Sequence, residues 1–445
     1  MNTKSNQPTH TASPCPITGS LISSHPILTS LVAFLVFWLF HSKFYSGDGD
    51  QIARFIEAGT WMVQSELLSH AIFQAVYQIL HPFGWDGMSV INLVSCLAGA
   101  VSIYFLLKFN NDYIKIDPIW PLALFASSAL LVFACGHTEY YTLFIAALFF
   151  YIYIAVGYLH QRFTIIHTGL AFSLAAWMHL GTLFALPSLL LLPYLRKEYK
   201  DYQSLFFLAL LPLYFTYFLK TNYYLFGFNI VGQSKAANFV PFKLPTDEIK
   251  YYTMFDWGHL LDILWAWSMR SWIFWPLLIY AACLAGWKAF LRHDRAFLLL
   301  CTLCFTGFAL VWHPDLRVTQ DWDLFAFELV PQLLLLLTFI PYFLKNSFNQ
   351  SLLTILTYAS ILITFSYVLN EAEFGGRGYG QVKIQLEGDI ACDNLTLNGH
   401  KKDLEIPGIQ EGVYNTKLID KTNRKSHNFY LVVSPNKTTV AAISN

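Results

Sequence analysis

The sequence predicts an α-helical polytopic membrane protein of about eleven transmembrane helices, followed by a small C-terminal all-β domain. Three observations carry that expectation. Of 445 residues, 55% are hydrophobic and only 13% charged, with a mean hydropathy of +0.44, so the chain holds more apolar surface than a soluble globule would bury. Aromatic residues make up 17%, a share that suits the headgroup interface as well as helix packing. Near Gly375 the composition turns abruptly polar and apolar residues begin to alternate. The 28 basic and 28 acidic side chains cancel, so the balance of charge gives no pointer to a nucleic-acid partner.

Taken in order, residues 1–22 are polar, with Pro8, Pro14 and Pro16, and read as a disordered cytoplasmic tail. Residues 23–370 form the transmembrane domain. Its first apolar run, 26–41, has almost no basic charge before it and no small-residue cleavage site after it, which marks a retained helix rather than a signal peptide. Gly47-Asp48-Gly49-Asp50 follows, and then two stretches with helical spacing: Ile52, Phe55, Ile56, Gly59 and Met62, and the run from Glu66 to Leu80. Two short helices lying along the membrane face fit this pattern. Further spans fall near 88–108, 118–135, 140–159, 164–179, 181–195, 204–224, 271–290, 296–312, 326–344 and 351–369, each judged against the usual length of about 20 residues. The two between Thr164 and Leu195 are short and parted only by His179-Leu180-Gly181, so a single bent element is the alternative there.

Charge asymmetry tests the count. With the N-terminus in the cytoplasm, Lys108, Lys115, Arg162, Arg196, Lys197, Lys200, Lys288, Arg292, Arg295 and Lys345 all fall on one side, the positive-inside pattern. The agreement favours two helices over 164–195. The opposite face then holds the 43–87 loop, the Gly136-His137-Thr138-Glu139 link, the His179 turn, the long 225–270 segment, the 313–325 loop and the tail. In that tail, residues 371–445, Val382, Ile384 and Leu386 alternate, Leu395 and Leu397 precede an Asn398-Gly399 turn, and Phe429 to Val433 form another apolar run, together an extracytoplasmic β domain. A structural or assembly appendage is the plain reading of it, and Asn394 and Asn436 open glycosylation sequons. Cys96, Cys135, Cys283, Cys301 and Cys304 lie in apolar runs and read as small hydrophobes, including the CxxC of Cys301 and Cys304, which has no histidine partner for zinc. Cys392 stands alone in its region.

The acidic and histidine-rich motifs therefore gather on one side: Asp48, Asp50, Glu66, His70, His137, Glu139, His179, and the stretch from His313 through Asp315, Arg317 and Asp321 to Asp323. Ionisable groups at membrane depth are expensive and usually face a cavity or a partner, so one shared polar cavity is the economical account. Each has a plainer reading beside it. Asp50 can cap a helix starting at Gln51, with Asp48 accepting hydrogen bonds in the turn. Glu139 opens a helix, where the dipole favours negative charge. His179 can be a packed, hydrogen-bonded histidine. Arg54 is spaced for an intrahelical ion pair with Asp50 or Glu57. Arg317, between two apolar spans and beside Asp315, Asp321 and Asp323, has the planar fork that clamps phosphate, with a surface salt bridge as the alternative.

These residues resemble a known family. An acidic Gly-Asp motif in the first external loop, two short interfacial helices, a Glu at the link between the third and fourth helices, and a helix pair of the type Trp177-Met-His179-Leu-Gly-Thr-Leu-Phe-Ala-Leu-Pro187 resemble the GT-C superfamily over roughly residues 26–370. The resemblance implies an integral-membrane glycosyltransferase that takes a sugar from a polyprenyl-phosphate donor. It implies Asp48 as base or acceptor-binding group with Asp50 second, Glu139 as the acidic residue after the third helix, and the Arg317 loop where the lipid phosphate binds. The chain lacks the Trp-Trp-Asp motif of oligosaccharyltransferases, Asp321-Trp322-Asp323 being only superficially similar, so transfer of one sugar is expected rather than of a whole oligosaccharide.

The chemistry is coherent with that expectation. A carboxylate, Asp48, Asp50 or Glu139, would take the proton of an acceptor hydroxyl as it attacks the anomeric carbon. Arg317, with Lys235 or Lys243 from the long external loop, would hold the leaving phosphate. His313, Asp321, Asp323, His179, His137 and Glu66 would complete the substrate-binding wall, and paired carboxylates leave room for a divalent cation. A single displacement inverts the anomeric configuration. The acceptor would be a glycan, a lipid or a protein, the transferred group a hexosyl or pentosyl unit, and the setting a plasma, inner or ER-like membrane. A transporter or flippase of lipid-linked saccharides is the alternative, and a non-catalytic membrane scaffold a third reading.

Overall fold

The computed structural model describes residues 25–43, 49–60, 66–222, 253–312 and 323–372, together with the backbone of strands between 379 and 443. The chain divides into two units, Met1–Val368 and Leu369–Asn445.

The first unit is helical. Helix α1 (Pro26–Leu39) begins with Pro26, whose missing N–H costs nothing in a first turn. Ile27, Leu28, Leu31, Val32, Leu35, Val36 and Leu39 are all exposed along it, one apolar stripe at helical spacing. A stripe of that kind has no place in water and is what a lipid-facing helix presents. Helices α2 (Gly49–Glu57) and α3 (Leu67–Leu80) follow, and α2 packs on α4 (Gly87–Phe109), whose first turn Asp86 caps by accepting from the Ser89 amide at 2.8 Å. The helix at 49–57 starts one residue ahead of Asp50, so Asp50 lies inside its first turn and does not cap a helix beginning at Gln51. The Glu57 carboxylate accepts from the Gly87 amide at 2.8 Å and ties α2 to the start of α4.

The region expected as one span over 118–135 is two helices, α5 (Ile119–Ala126) and α6 (Leu130–Ala134). Ser360 donates to the Ser127 carbonyl at 2.6 Å, and the Arg270 carbonyl accepts from the Ala129 amide at 2.8 Å. Broken backbone is tolerated in an apolar setting only where neighbours satisfy its polar groups in this way. Helix α7 (Tyr141–Leu159) runs through the middle of the unit, with Phe144, Leu148, Tyr151, Ile152, Ala155 and Val156 all fully enclosed. Then come α8 (Ile165–Met178), a short 3-10 turn over Leu180–Ala185, α9 (Leu186–Arg196) and α10 (Asp201–Asn222).

A helix that the sequence placed inside an external segment follows: α11 (Trp257–Ser271) joins α12 (Phe274–Ala285) through an 88° bend. Next are α13 (His293–Val311), a 3-10 turn over Asp323–Glu328, α14 (Leu329–Leu337), the short α15 (Ile340–Phe343) and α16 (Ser347–Glu371). All nine residues of α14 are buried, and it packs against α7 and α13.

Among the described residues, four helices are long and apolar enough to cross a membrane: Gly87–Ile114, Tyr141–Leu159, His293–Val311 and Ser347–Leu369. The bent pair α11–α12 makes a fifth. That is fewer than the eleven expected, because 118–135 breaks at Ser127 and 326–344 at Thr338, and because Pro26–Leu39, Ile165–Met178 and Leu180–Arg196 are short; the break at His179 is where the two-helix reading put it. The helical, apolar class is as expected.

In the second unit the described backbone forms strands β1 (Tyr379–Leu386), β2 (Ile390–Cys392), β3 (Leu395–Thr396), β4 (Lys402–Gln410), β5 (Gly412–Asp420), β6 (Ser426–Val433) and β7 (Thr438–Ile443). They pair in the orders β4-β1-β7 and β3-β2-β5-β6, with β1 and β7 parallel and the other pairs antiparallel.

Candidate functional site

The site is built at the amino end of α7 from the Gly136-His137-Thr138-Glu139-Tyr140 link. Gly136 turns the chain with φ +81°, and a Cβ there would meet the His41 Cβ at 3.0 Å and the Asn92 Oδ1 at 3.3 Å. The link is pinned from outside: Ser95 Oγ donates to the His137 carbonyl at 3.0 Å, Thr142 Oγ1 to the Phe133 carbonyl at 3.1 Å, and the Ser42 amide to the Cys135 carbonyl at 2.9 Å. His137, Thr138 and Glu139 are all buried.

From the other side comes the 3-10 turn at 323–328. Asp323 Oδ1 accepts from the Leu324 amide at 3.0 Å, which leaves Oδ2 facing His137 Nε2, also at 3.0 Å. The two side chains are only 6% and 3% exposed, so this contact is shielded from water. Glu139 completes the group: one ligand-capable atom each from His137, Glu139 and Asp323 lies within 4.8 Å of the others. One imidazole and two carboxylates at that spacing suit a divalent cation with mixed nitrogen and oxygen ligands.

A second pair stands beside the first. His179 occupies the extended break between α8 and the following turn, where its Nδ1 accepts from the Gly181 amide at 2.9 Å. Nε2 then carries the proton and lies 3.1 Å from Glu66 Oε1, off the line of a well-formed hydrogen bond. The ring stacks on Phe144 of α7, centroids 5.0 Å apart, and meets Phe327 of the 323–328 turn at 5.9 Å. Ser69 Oγ, donating to the Met178 carbonyl at 3.0 Å, brings α3 to the same place. His70 links α3 to the His137 link itself. Its Nε2 donates to the Thr60 carbonyl at 2.9 Å and its Nδ1 accepts from the Tyr140 hydroxyl at 2.8 Å, and burial lowers its pKa from the ordinary histidine value.

The structure thus brings His137, Glu139 and Asp323 into one group, and Glu66 and His179 into a neighbouring one. Asp48, Lys235, Lys243, His313, Arg317 and Asp321 lie outside the described residues, as does the side chain of Asp50. The Gly-Asp-Gly-Asp stretch is nevertheless tied to the site through Gly49. A Cβ on Gly49 would fall 2.5 Å from the Thr138 carbonyl oxygen and nearer still to Thr138 Oγ1, so only glycine allows α2 to start against the link.

One pair has no counterpart in the sequence reading. Arg270 Nη2 of α11 donates to Glu328 Oε1 at 2.6 Å, Thr306 Oγ1 lies 3.4 Å from Glu328 Oε2, and both charged side chains are fully buried. Glu328 closes the turn that Asp323 opens, so this pair anchors the turn to α11 and α13. Its signal was there to be read: a lone Arg in Trp265-Ala-Trp-Ser-Met-Arg270 and a lone Glu in Phe325-Ala-Phe-Glu328, each in an apolar run where an ionisable residue needs a partner.

Compared with protein-family models, curated proteins and solved structures, the chain finds no match in any of the three.

Proposed function

We propose that the chain is a membrane glycosyltransferase that moves one sugar from a polyprenyl-phosphate donor to an acceptor hydroxyl, with its site at the amino end of α7. The observation that carries this reading is the convergence of His137, Glu139 and Asp323, with Gly49 of the acidic first-loop motif seated on Thr138 between two of them. Acidic groups from the first loop and from the link before α7 are what the GT-C resemblance asks for at one place.

In the proposed step, Asp48 takes the acceptor proton as its oxygen bonds to the anomeric carbon. The bond from that carbon to the phosphate oxygen breaks, and the lipid phosphate leaves with the electron pair, inverting the centre. His137, Glu139 and Asp323 would hold a divalent cation, whose charge would ease departure of the phosphate. Arg317 and the Lys235 and Lys243 segment remain the proposed phosphate clamp. An apolar groove of about 490 Å³ at the α11–α12 bend, lined by Trp267, Trp272 and Trp275, offers a bed for the lipid chain. Trp267 sits three residues before Arg270, one turn from the pair that anchors Asp323. The proposal keeps eleven crossings, counting short and broken helices, an external site and an external β domain.

The test uses purified Asp48→Asn, Glu139→Gln and wild-type protein with a lipid-phosphate sugar donor. Transfer by either variant should fall by about 10²-fold or more, the usual worth of a positioned acid–base group. Full transfer by both would remove the assignment. The helix breaks at Ser127 and His179 also suit a transporter of the same lipid-linked saccharide. Donor crossing a vesicle membrane with no transfer product would select that reading instead.

A further inference from the structure

The far end of α7 carries a different kind of site. Helix α7 is 19 residues long, so its carboxyl end lies about 28 Å from the link. There a cavity of about 390 Å³ opens between the end of α7 and the start of α13, lined among others by Tyr113, His160, Arg292, His293, Asp294 and Arg295. That volume falls within the roughly 300–1,000 Å³ of small-molecule sites.

Its charges are arranged unequally. Asp294, the acidic residue in the lining, is engaged by His160 at 2.8 Å. Arg295 is fixed in place: Nε donates to Thr338 Oγ1 at 3.1 Å, Nη2 to the Thr338 carbonyl at 2.8 Å, and its guanidinium lies 4.4 Å from the Phe339 ring centroid. The side chains of Arg292 and His293 are exposed and make no hydrogen bond or ion pair among the described residues. Arg292 holds the N-cap position of α13 without a side-chain cap, so it leaves the first-turn amides of that 19-residue helix, which include that of Asp294, uncapped at the positive end of the dipole. A rigid guanidinium, a second unspent one, an imidazole and a helix amino end around one cavity make a phosphate-shaped demand.

We propose that this cavity binds the phosphate of an anionic lipid headgroup, contacted by Arg292, His293 and the amino end of α13, with Arg295 behind them. The site belongs at a membrane surface because the exposed apolar side chains of Trp287 and Leu291 lead directly into its Arg292–Arg295 wall. Basic pockets between helices at that level are suited to lipid phosphates. A soluble phosphate ion offers the same chemistry, and the experiment separates the two. The inference does not depend on the glycosyltransferase reading.

The full chain is reconstituted in phosphatidylcholine nanodiscs with and without phosphatidylglycerol, as wild type and as Arg292→Ala/His293→Ala. Both positions are exposed, so the double variant should keep the wild-type elution profile and thermal midpoint in phosphatidylcholine alone. Native mass spectrometry should find one phosphatidylglycerol retained by the wild type, with apparent affinity about tenfold or more weaker in the variant, as loss of a charge-assisted hydrogen bond implies. Inorganic phosphate should not displace it. Displacement by inorganic phosphate, with the same dependence on Arg292 and His293, would overturn the lipid source and assign the cavity to a free ion. Equal retention of phosphatidylglycerol by both proteins would overturn the site.

Discussion

The two ends of α7 hold similar numbers of ionisable groups and treat them in opposite ways. At the amino end, His137 and Asp323, and Arg270 and Glu328, are paired inside the protein with almost no exposure. At the carboxyl end, Arg162 and Asp112 pair at 3.0 Å and His160 and Asp294 at 2.8 Å, but Arg162 and His160 are each 44% exposed. Water compensates a lost partner at the second end and cannot at the first. Position on one helix axis therefore separates groups whose identity is fixed by burial from groups that are exchangeable.

The largest expected effect breaks the buried pair. Arg270→Ala leaves the Glu328 carboxylate enclosed without its cation, beside the neutral groups Thr306 Oγ1 at 3.4 Å and the Trp267 indole, and should cost about 3–5 kcal/mol. With 13 tryptophans as reporters, the thermal midpoint in detergent can be followed by intrinsic fluorescence. The double change Arg270→Met/Glu328→Leu should regain most of the loss, because it removes both charges and keeps the volume. If the double variant is no better than the single one, the pair is doing something other than balancing charge.

Next in size is Gly49→Ala. The new methyl meets the backbone oxygen of Thr138, which cannot rotate away, so about 1–3 kcal/mol is expected from overpacking. Thr138→Ala in the same protein should relieve only the part due to Oγ1. Gly59→Ala serves as the control for a glycine with open space around it, where the φ of +64° is the sole cost.

His70 sharpens the contrast through pH. Burial lowers its pKa, so the folded protein favours the neutral ring that accepts from Tyr140, while the unfolded chain binds a proton near pH 6.5. The unfolded state therefore holds more protons over the window just below that value, and stability falls as pH drops from about 6.5 until the folded ring itself titrates. His70→Gln should flatten the slope of the thermal midpoint between neutral and mildly acidic buffer. A slope unchanged by His70→Gln would assign the acid sensitivity to other groups.

Much of the helical frame was legible because apolar runs are loud: the expected 88–108, 140–159 and 296–312 became Gly87–Phe109, Tyr141–Leu159 and His293–Val311. What escaped is where tertiary contacts outvote hydropathy. Helix α11 reads as an external segment because His259, Asp262 and Arg270 interrupt it, yet His259 Nε2 donates to the Leu310 carbonyl at 3.0 Å and Arg270 meets Glu328, contacts invisible in a linear pattern. The break at Ser127 is invisible for the same reason, since Ser360, over two hundred residues away, satisfies it. At the site, His137 and Glu139 stood out as polar residues in a tight apolar link. Asp323, read in sequence as one acid of the 313–323 stretch, gave no sign that it would reach His137.

The smallest expected effect is the one that tests the rule from the exposed side. Arg162→Ala removes an ion pair with Asp112, but Asp112 also accepts from the Tyr153 hydroxyl at 2.7 Å and lies 3.4 Å from Lys108. Its carboxylate is therefore never left alone, and the removed guanidinium was already half in water, 5.6 Å from the Tyr113 ring centroid. The expected loss is below about 1 kcal/mol and should shrink further in high salt, where exposed pairs are screened. Arg270→Ala should keep its full cost in the same high-salt buffer, because ions cannot enter between Arg270 and Glu328. Equal salt sensitivity in the two variants would mean that water reaches the amino end of α7, and that the acid and histidine groups there are solvated rather than enclosed.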